Sequence, residues 1–367
     1  MRASTVQFVW REPRSTASFH SAVSLHGHTM HSEECLNFLP RYLHLAPVVS
    51  QIVSRYQRAP HNVDFARAWW TPPLSPASAL SLEQKQIARL GLRPLVSLTD
   101  HDDIRAGLSL GVATDSPISV EWTVPYRSSI FHLGIHNLPP ESAASWMQTL
   151  AAYTAAPEEG ALPAILHELA RIPGPLIVLN HPFWLEEGVL EQDHPPALAR
   201  ILHECLAWLH AFELNGTRPW MENSKTMELA RSHDRPVISG GDRHACEPNA
   251  CINLTNARDF AEFAGQVREG HSTVLFMPQY REPLAQRMLA AGRDILAPYP
   301  EYPGRERWPD RIFYRGADGV ARSLTQVCSG RIPRLLAGAV SAVQFFGGAR
   351  FRPALRLFFQ PGAEQSL

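Results

Sequence analysis

Histidine and carboxylate side chains follow or end most of the short apolar runs of this chain. The pattern is clearest in the segments HGH, TDH, NHP and GDRH, and the chain has 17 His in all. Imidazole is the commonest metal ligand in proteins, and carboxylates serve in the same kinds of site. The candidate metal ligands are nine side chains: His26, His28, Glu33, His101, Glu121, His132, His181, Asp242 and His244.

The spacing and number of these groups favour a cluster of ions over a single ion. Side chains alternate along an extended backbone, so the H-x-H pair of His26 and His28 can reach one cation. Six imidazoles and three carboxylates suffice for two or three divalent ions if one carboxylate bridges. Because these ligands offer nitrogen and oxygen without thiolate sulfur, Zn, Mn and Fe are all compatible with them.

Seven apolar runs, separated by segments of helical periodicity, would position these groups. Continuous apolar runs are typical of parallel strands buried on both faces, and their alternation with helices favours a βα barrel. In such a barrel, side chains from distant parts of the chain meet at the carboxyl ends of the strands. Ser81 and Gln84 form a capping-box pattern, which predicts a helix over 82–90. The predicted strands are 21–25, 95–99, 118–121, 129–132, 176–180, 210–214 and 236–240.

Two stretches depart from this alternation. Residues 38–78 form a Pro- and aromatic-rich insertion, too long for an ordinary βα loop of about 2–6 residues, and we expect it to cover the site. Residues 281–367 hold 13 basic and 7 acidic side chains, whereas residues 1–280 hold 21 and 28. We expect this basic, irregular C-terminal extension to pack on a barrel made by residues 1–280.

Six segments resemble, in order, the ligand motifs of the PHP (polymerase and histidinol phosphatase) superfamily. SLHGHTMHSEE is similar to its D-L-H-x-H first motif, and VSLTDHDDIRAG to its T-D-H-D second motif. SVEWT, FHLGIHNL, VLNHPFW and SGGDRH resemble the later Glu, His, His-Pro and Asp-x-His motifs. The resemblance spans about residues 21–275 and implies a distorted seven-stranded (β/α) TIM-like barrel of the α/β class, with a bi- or trinuclear metal site.

The resemblance also implies how the ligands are divided among the ions. The chain departs from the family pattern at Glu33 and Ser24, where Asp is usual, and at Gly241, where Ser is usual. Because Glu is one methylene longer than Asp, the departure at Glu33 bears most on the third ion. By the resemblance, His26, His28, Glu121 and Asp242 would hold one ion, His132 and His181 a second that Glu121 bridges, and Glu33, His101 and His244 a third.

Clustered divalent ions predict hydrolysis of phosphate esters. Such ions lower the pKa of a bound water and clamp the attacking and leaving oxygens, so a metal-bound hydroxide would attack phosphorus in a small phosphomonoester or nucleotide. Arg243 and Arg105 are the cations nearest in sequence that could hold phosphate oxygens, and His31 could act as an acid. Since side chains alternate, Arg243 could instead form an ion pair on the barrel exterior. Glu213 could orient a ligand histidine, or be a buried carboxyl bonded to backbone.

Two other functions stay open on the sequence: a nuclease acting on polynucleotide ends, and a non-catalytic domain whose ions stabilise the barrel or support a partner. The acidic balance of residues 1–280 argues against nucleic acid as a partner, because phosphate-backbone binding requires clustered Lys and Arg.

We expect neither a signal peptide nor a membrane span, since no apolar run reaches the roughly 18 residues that a span needs. Five scattered cysteines predict a reducing, cytoplasmic environment. Nothing in the composition decides the oligomeric state.

Overall fold

Three β-sheets and the helices around them make up the described part of the chain. The computed structural model describes residues 4–36, 54, 64–111, 114–158, 160–300 and 302–358. Over these residues the fold belongs to the mixed α/β class, as predicted. None of the helices in these ranges is long and apolar enough to cross a bilayer.

Strands and helices alternate along most of the described residues. The strands are β1 (Ser4–Phe8), β2 (Ser21–Leu25), β3 (Glu34–Cys35), β4 (Ala68–Trp70), β5 (Arg93–Ser97), β6 (Asp100–His101), β7 (Ile118–Tyr126), β8 (Ser129–Leu138), β9 (Leu176–Asn180), β10 (Ala211–Asn215), β11 (Val237–Gly240), β12 (Cys251–Thr255), β13 (Ser272–Phe276), β14 (Ile312–Arg315) and β15 (Ala321–Ser323). The helices are α1 (Pro76–Ala88), α2 (Arg105–Leu110), α3 (Ala143–Ala155), α4 (Ala161–Arg171), α5 (His194–Cys205), α6 (Trp220–Ser232), α7 (Phe260–Arg268), α8 (Leu284–Ile295), α9 (Leu324–Val327), α10 (Arg334–Phe346) and α11 (Arg352–Phe358).

Two of the sheets carry most of the candidate ligands. The first has the strand order β1-β13-β12-β2-β5, and the second has the order β11-β10-β9-β8-β7-β6. Strands β9, β10 and β11 are mutually parallel, as are β6 and β7, and β2 and β5. Strand β8 runs antiparallel to both of its neighbours. The carboxyl ends of β2, β9 and β11 therefore open toward the same region, at the junction of the two sheets.

The two ligand-bearing sheets are linked at two seams. At one, β5 of the first sheet continues after residues 98 and 99 into β6 of the second. At the other, the N–H of Gly241 donates to the Leu25 oxygen over 2.9 Å, and the N–H of His28 to the Arg243 oxygen over 2.8 Å. One apolar cluster contains side chains of both sheets, among them Leu25 of β2 and Ile238 of β11. Strand pairing among the described residues thus gives two sheets with linked ends.

The third sheet joins the first ligand segment to the C-terminal part of the chain. Its order is β15-β14-β4-β3. Glu34 of β3 pairs with Trp70 of β4, and Trp70 pairs in turn with Ile312 of β14. Strand β4 belongs to the predicted insertion, but residues 37–53 and 55–63 lie outside the described residues, and so does the cover over the site that we expect there.

Strand β8 runs antiparallel to its neighbours, so the expectation that all the barrel strands are parallel is wrong for this strand. A two-residue turn, 127–128, connects β7 to β8, and so short a connection can only join antiparallel strands. As a result His132 lies inside β8 rather than at a carboxyl end. It pairs with Asn180, the last residue of β9, and this register brings it to the other candidate ligands.

Helix α1 begins earlier than the capping-box pattern predicts. Its N-cap is Ser75, whose side chain accepts from the N–H of Ser78, and Pro76 occupies the first helical position. Ser81 and Gln84 lie inside the helix, so their pattern does not mark its start. Helical periodicity in the sequence also predicts helices near 141–153, 162–171, 197–210, 221–233 and 258–269, and the structure has a helix at each of these places with shifted ends.

Candidate metal centre

The candidate ligands of separate strands meet in one buried cluster where the two sheets join. The cluster contains four groups of His and carboxylate side chains, and within each group the ligand atoms all lie within 4.8 Å of one another. Neighbouring groups share residues, so together they form one cluster that could hold more than one ion. The groups are His28, Glu34, His101 and His244; His26, His28 and Glu121; His26, His181 and Glu213; and His101, Glu121 and His132.

Glu121 of β7 lies at the centre of the cluster and is fully buried. Its Oε2 is 2.8 Å from His26 Nε2, and its Oε1 is 3.1 Å from His181 Nε2. The amide of Asn180 donates to Oε1 over 3.0 Å. Asn180 passes close to Gly134 of β8, where a Cβ would lie 2.8 Å from the Asn180 oxygen. The glycine therefore leaves room for the amide that orients the central carboxylate.

Asp242 presents one oxygen to the imidazoles and keeps the other in a separate set of hydrogen bonds. Its Oδ1 lies 3.5 Å from His28 Nε2 and 3.7 Å from His26 Nε2. Its Oδ2 accepts from Thr217 Oγ1 over 3.0 Å and from Arg218 Nη2 over 3.2 Å. These donors fix the orientation of the carboxylate and leave Oδ1 available as a ligand atom.

The structure places Glu34, and not Glu33, in the cluster. Glu33 is exposed, whereas Glu34 is buried and its Oε2 lies 3.1 Å from His244 Nε2. Consecutive side chains of an extended segment point to opposite faces, and pairing of Glu34 with Trp70 in the third sheet fixes which face turns inward. The predicted ligand Glu33 therefore lies outside the cluster, and its neighbour Glu34 lies inside it. The signal was present as a second, adjacent glutamate in SEE, but the sequence does not say which of the two points inward.

Glu213 of β10 lies at the edge of the cluster and contacts His26 on the ring nitrogen that faces away from Glu121. Its Oε2 accepts from His26 Nδ1 over 2.6 Å, while its Oε1 accepts from Asn215 Nδ2 over 2.7 Å. The Glu213 side chain lies against the backbone of Gly240, where any Cβ would collide with its carboxyl group. With Nδ1 donating to Glu213, His26 could bind a cation through Nε2 once the cation displaces the Nε2 proton that Glu121 accepts, so Glu213 serves as the orienting residue and not as a carboxyl bonded to backbone.

Two further imidazoles have polar partners at the ring nitrogen that faces away from the central carboxylate. His28 Nδ1 is 3.2 Å from Ser32 Oγ, which itself donates to Glu34 Oε1 over 2.6 Å. His132 Nε2 is 3.6 Å from Glu186 Oε1. Such outer partners are the usual accompaniment of metal-binding histidines, because they fix the tautomer and the ring orientation.

Three candidate ligands adopt a backbone conformation that non-glycine residues avoid. The φ angles are +59° at His26, +24° at His181 and +49° at Asp242, each within two residues of the end of a strand. A residue held in such a region costs about 1–3 kcal/mol, and the cost persists only where the surroundings impose it. Here strand pairing on one side and the hydrogen-bonded side chain on the other impose it.

The ionisable groups of the cluster perturb one another strongly. Burial lowers the pKa of His28 and of His132, but the neighbouring carboxylates outweigh burial and raise the pKa to about 10 for His28 and to about 9 for His132. Burial raises the pKa of Glu121, and the surrounding imidazoles outweigh it and hold that pKa well below its usual value. The buried carboxylates therefore demand positive charge, which protons or cations can supply.

Two ring nitrogens test whether metal ions fit this cluster. His28 Nε2 and His132 Nδ1 are both buried, and each lies 3.3 Å from an oxygen of Glu121 without making a hydrogen bond to any described residue. A buried nitrogen beside a carboxylate oxygen, with no hydrogen bond between them, is an arrangement in which both atoms can bind one cation in place of a proton. Imidazole nitrogens and carboxylate oxygens are the donors that Zn, Mn and Fe take. The residues present thus fit divalent metal ions.

Arg243 does not have the position expected of a phosphate-binding residue. Its side chain is buried, and its Nε donates to Glu83 Oε1 of α1 over 3.0 Å. Its Nη1 donates to the backbone oxygen of Ala245 over 3.0 Å, and its Nη2 lies against the backbone of Gly27. The alternation that brings Asp242 and His244 into the cluster turns the residue between them away from it. Arg243 therefore forms an ion pair, although beneath a helix and not on the exterior.

Arg105 and His31 lie outside the buried cluster. The guanidinium of Arg105 is exposed and paired with Asp103, its Nε donating to Oδ2 over 2.6 Å. His31 is partly buried, and burial together with Arg105 and Arg305 lowers its pKa. No hydrogen bond or ion pair joins either side chain to the cluster within the described ranges. Their roles as phosphate-binding residue and acid stay predictions.

Trp184, Glu186 and Arg218 border the cluster but were missed from the sequence. Trp184 Nε1 donates to Glu186 Oε1 over 2.9 Å, and both residues line a recess with His132 and His181. The guanidinium carbon of Arg218 lies 3.6 Å from the centre of the Trp184 ring. Trp184 and Glu186 follow the predicted ligand His181 closely, which was a usable signal, but nothing in sequence brings Arg218 to them.

Comparisons with known proteins show distant similarity only. No family model matches this chain, and no curated protein matches it. Solved structures with a similar backbone include PsfC from Pseudomonas syringae, with a TM-score of 0.42 and 14% identity, covering 71% of this chain and 93% of that chain. A Bifidobacterium adolescentis protein provisionally described as a metal-dependent phosphoesterase has a TM-score of 0.31 and 16% identity, covering 54% and 92%. An amidohydrolase from Chromobacterium violaceum with bound sulfate has a TM-score of 0.39 and 14% identity, covering 67% and 96%.

Proposed function

We propose that the protein is a metal-dependent hydrolase that cleaves phosphate esters, with a small phosphomonoester or nucleotide as substrate. The observation that carries this proposal is the buried cluster of imidazoles and carboxylates from distant parts of the chain, in which two ring nitrogens lack hydrogen-bond partners among the described residues. Two or three ions of Zn, Mn or Fe would supply the positive charge and the electron acceptors that this cluster requires.

The proposal includes the barrel that the resemblance to the PHP superfamily implies. Its seven strands in order would be β2, β5 continuing into β6, β7, β8, β9, β10 and β11, closed by the backbone hydrogen bonds between the ends of β11 and β2. In this proposal residues 1–280 form the metal-binding unit, and residues 281–367 form an extension that contributes β14 and β15 to the third sheet.

The ligands divide among the ions as the resemblance implies, with one substitution. Glu34 takes the place of Glu33 in the third set, because its carboxylate is the one near His244. The proposed sets are His26, His28, Glu121 and Asp242 for one ion; His132 and His181, with Glu121 bridging, for a second; and Glu34, His101 and His244 for a third.

Bound divalent ions would activate a water and offset the charge of a phosphoryl group. The chain's own side chains prepare the site for that chemistry. Glu213 holds the proton of His26 on Nδ1, and Asn180 fixes the rotation of the Glu121 carboxylate. Burial of these groups removes competing water, so electrostatic attraction to a phosphate ester is stronger than it would be at an exposed site.

The test compares two buried histidines, one inside the cluster and one outside. His181 is a candidate ligand, whereas His194 is equally buried but bonds to Ser129 Oγ and the Pro182 oxygen. We expect the metal-loaded protein to hydrolyse members of a panel of phosphomonoesters and nucleotides. We expect His181→Ala to lose bound metal and at least about a hundredfold in rate, and His194→Ala to lower the melting temperature with the metal content retained.

Other results would favour the other two functions. If the protein binds metal but cleaves no phosphate ester, and His181→Ala only lowers the melting temperature, the cluster is a non-catalytic metal site. If single-stranded DNA is cleaved faster than nucleotides and the rate collapses with added salt, the protein is a nuclease.

A further inference from the structure

Arg218 holds an unusual position beside the cluster. It follows β10 and lies on the ring of Trp184, with its guanidinium carbon 3.6 Å from the ring centre. Its side chain is 17% exposed, so part of it reaches solvent beside the recess that Trp184 lines with His132 and His181. Stacking on an aromatic face holds a guanidinium in place without using its hydrogen-bond donors.

Most donors of this guanidinium make no hydrogen bond to the residues that the structure describes. Nη2 donates to Asp242 Oδ2 over 3.2 Å. Nε is buried and has no hydrogen-bond partner among the described residues, and no hydrogen bond is made by Nη1 within the same ranges. The carboxyl of Glu222 interacts electrostatically with Arg218 but does not hydrogen-bond to it in the described part of the chain. A guanidinium has five N–H groups, and a buried N–H group that makes no hydrogen bond costs about 1–3 kcal/mol.

Asp242 does not depend on Arg218 alone. Its Oδ2 also accepts from Thr217 Oγ1 over 3.0 Å and from Asn215 Nδ2 over 3.3 Å. Asn215, at the end of β10, therefore orients this carboxylate independently of Arg218, and the Thr217 hydroxyl lies within hydrogen-bond distance of both Asp242 Oδ2 and Asn215 Oδ1. Orienting Asp242 does not require a stacked arginine with unused donors. The planar set of N–H groups on a guanidinium suits the oxygens of a phosphate or carboxylate anion.

We propose that Arg218, held against Trp184, is the anion-binding residue of this site and donates its unused N–H groups to oxygens of a phosphoryl group on the substrate. This inference rests on the proposed function, because it places the phosphate ester between the metal cluster and Arg218. It assigns to Arg218 the role that the sequence predicts for Arg243, whose guanidinium is committed to Glu83.

The probe is inorganic phosphate, titrated calorimetrically into the metal-loaded protein, with the metal content of each variant measured. Arg218→Gln keeps a polar side chain but removes the charge, and we expect phosphate binding to weaken about tenfold or more with the metal content unchanged. Arg218→Lys keeps the charge without the planar donors or the stack, and we expect it to recover only part of the loss. Trp184→Leu removes the ring under an intact Arg218, and we expect an intermediate loss.

Thr217→Val is the comparison variant, since it removes a hydroxyl beside the same Asp242 oxygen and leaves the guanidinium of Arg218 in place. Any effect that passes through Asp242 appears in both variants, and we expect Thr217→Val to weaken phosphate binding less than Arg218→Gln does. Equal losses in Thr217→Val and Arg218→Gln would overturn the proposal, because Arg218 would then act only through Asp242. Unchanged phosphate binding in Arg218→Gln, or no phosphate binding by the wild type, would overturn it as well.

The two proposals fail in different ways. If the wild type cleaves no ester but binds phosphate in a manner that depends on Arg218, the proposed function fails and the anion site stands. If esters are cleaved and Arg218→Gln changes neither KM nor the phosphate affinity, the anion site fails and the proposed function stands.

Discussion

The inner and outer ends of the cluster are built in different ways. At the inner end, around Glu121, the Glu121 side chain is 0% and that of His26 1% exposed. At the outer end, around Glu34, His101 and His244 are 19% and 22% exposed. The inner ligands follow or lie in strands of the two ligand-bearing sheets, whereas Glu34 belongs to a two-residue strand of the third sheet.

This difference predicts an order of metal affinity. Groups held by buried strands and by outer hydrogen bonds lose little entropy when an ion binds, because their orientation is already fixed. The outer end relies on β3, which is held through β4 to β14 in the C-terminal part of the chain, and the guanidinium of Arg305 donates to the Met30 oxygen in the adjoining loop. We therefore expect the inner sets to bind ions more tightly than the set around Glu34.

The largest effect is expected for Glu121→Gln, which removes the charge shared by the inner sets. The protein should lose most of its metal and at least about 1000-fold in hydrolytic rate, because the central carboxylate faces both sets. Metal analysis after dialysis and a rate measurement check this. A variant with full metal content would show that Glu121 is not a shared ligand and would contradict the expected tight binding of ions around it.

The next largest effect is expected for Glu213 and Glu186, the two carboxylates that contact candidate ligand histidines on the ring nitrogen facing away from Glu121. Loss of a carboxylate that orients a ligand histidine lowers metal affinity by roughly 10–100-fold. Glu213 is 2% exposed and 2.6 Å from His26, whereas Glu186 is 27% exposed and 3.6 Å from His132, so Glu213→Gln should weaken binding more than Glu186→Gln. Competitive titration with a chelator measures both. Equal losses of metal affinity in the two variants would contradict the view that Glu213 holds His26 more firmly than Glu186 holds His132.

Gly240→Ala supplies a second approach to the same contact. The added Cβ must displace the Glu213 carboxyl, so this variant should weaken metal binding in the direction of Glu213→Gln without removing any charge. Ser239→Ala, a change of similar size at the preceding residue of β11, serves as the control for general damage to the strand.

A smaller effect, confined to one ion, is expected at the outer end. Glu34→Gln should remove one equivalent of metal and leave the inner ions bound, because only the set around His244 loses its carboxylate. Glu33→Gln is the matched control at the exposed neighbour and should change neither metal content nor rate. If Glu33→Gln lost the ion instead, the face assigned to β3 would be wrong.

The smallest effect is expected from pH in the metal-free protein. The pKa values of His28 and His132 are raised from 6.5 to about 10 and about 9, so their protonated forms stabilise the fold fully below about pH 6.5. This contribution is lost as pH rises through 9 to 10. Denaturant unfolding between pH 6 and 10 should show stability falling with pH without metal and a flatter profile with metal bound. Rising stability of the metal-free protein over this range would contradict the assignment.

The sequence predicts more of the inner end than of the outer end. HGH, NHP and GDRH lie next to apolar strands whose bounds are legible, and the strands 21–25 and 176–180 are confirmed residue for residue. At the outer end the choice between Glu33 and Glu34 depends on a two-residue strand that has no pattern of its own. Such a strand takes its register from its partner, and a shift of one residue exchanges its two faces.

The amino-acid sequence by itself determined the α/β class, the apolar strands and the set of residue types that could bind metal, because these depend on local periodicity and on chemistry. Only the tertiary structure decided that Glu34 turns inward, that Arg243 pairs with Glu83, and that Arg218 comes to Trp184. These outcomes follow from contacts between segments far apart in the chain. The register of a short strand and the partner of a charged side chain are set by what the fold places opposite them, and local sequence does not encode that.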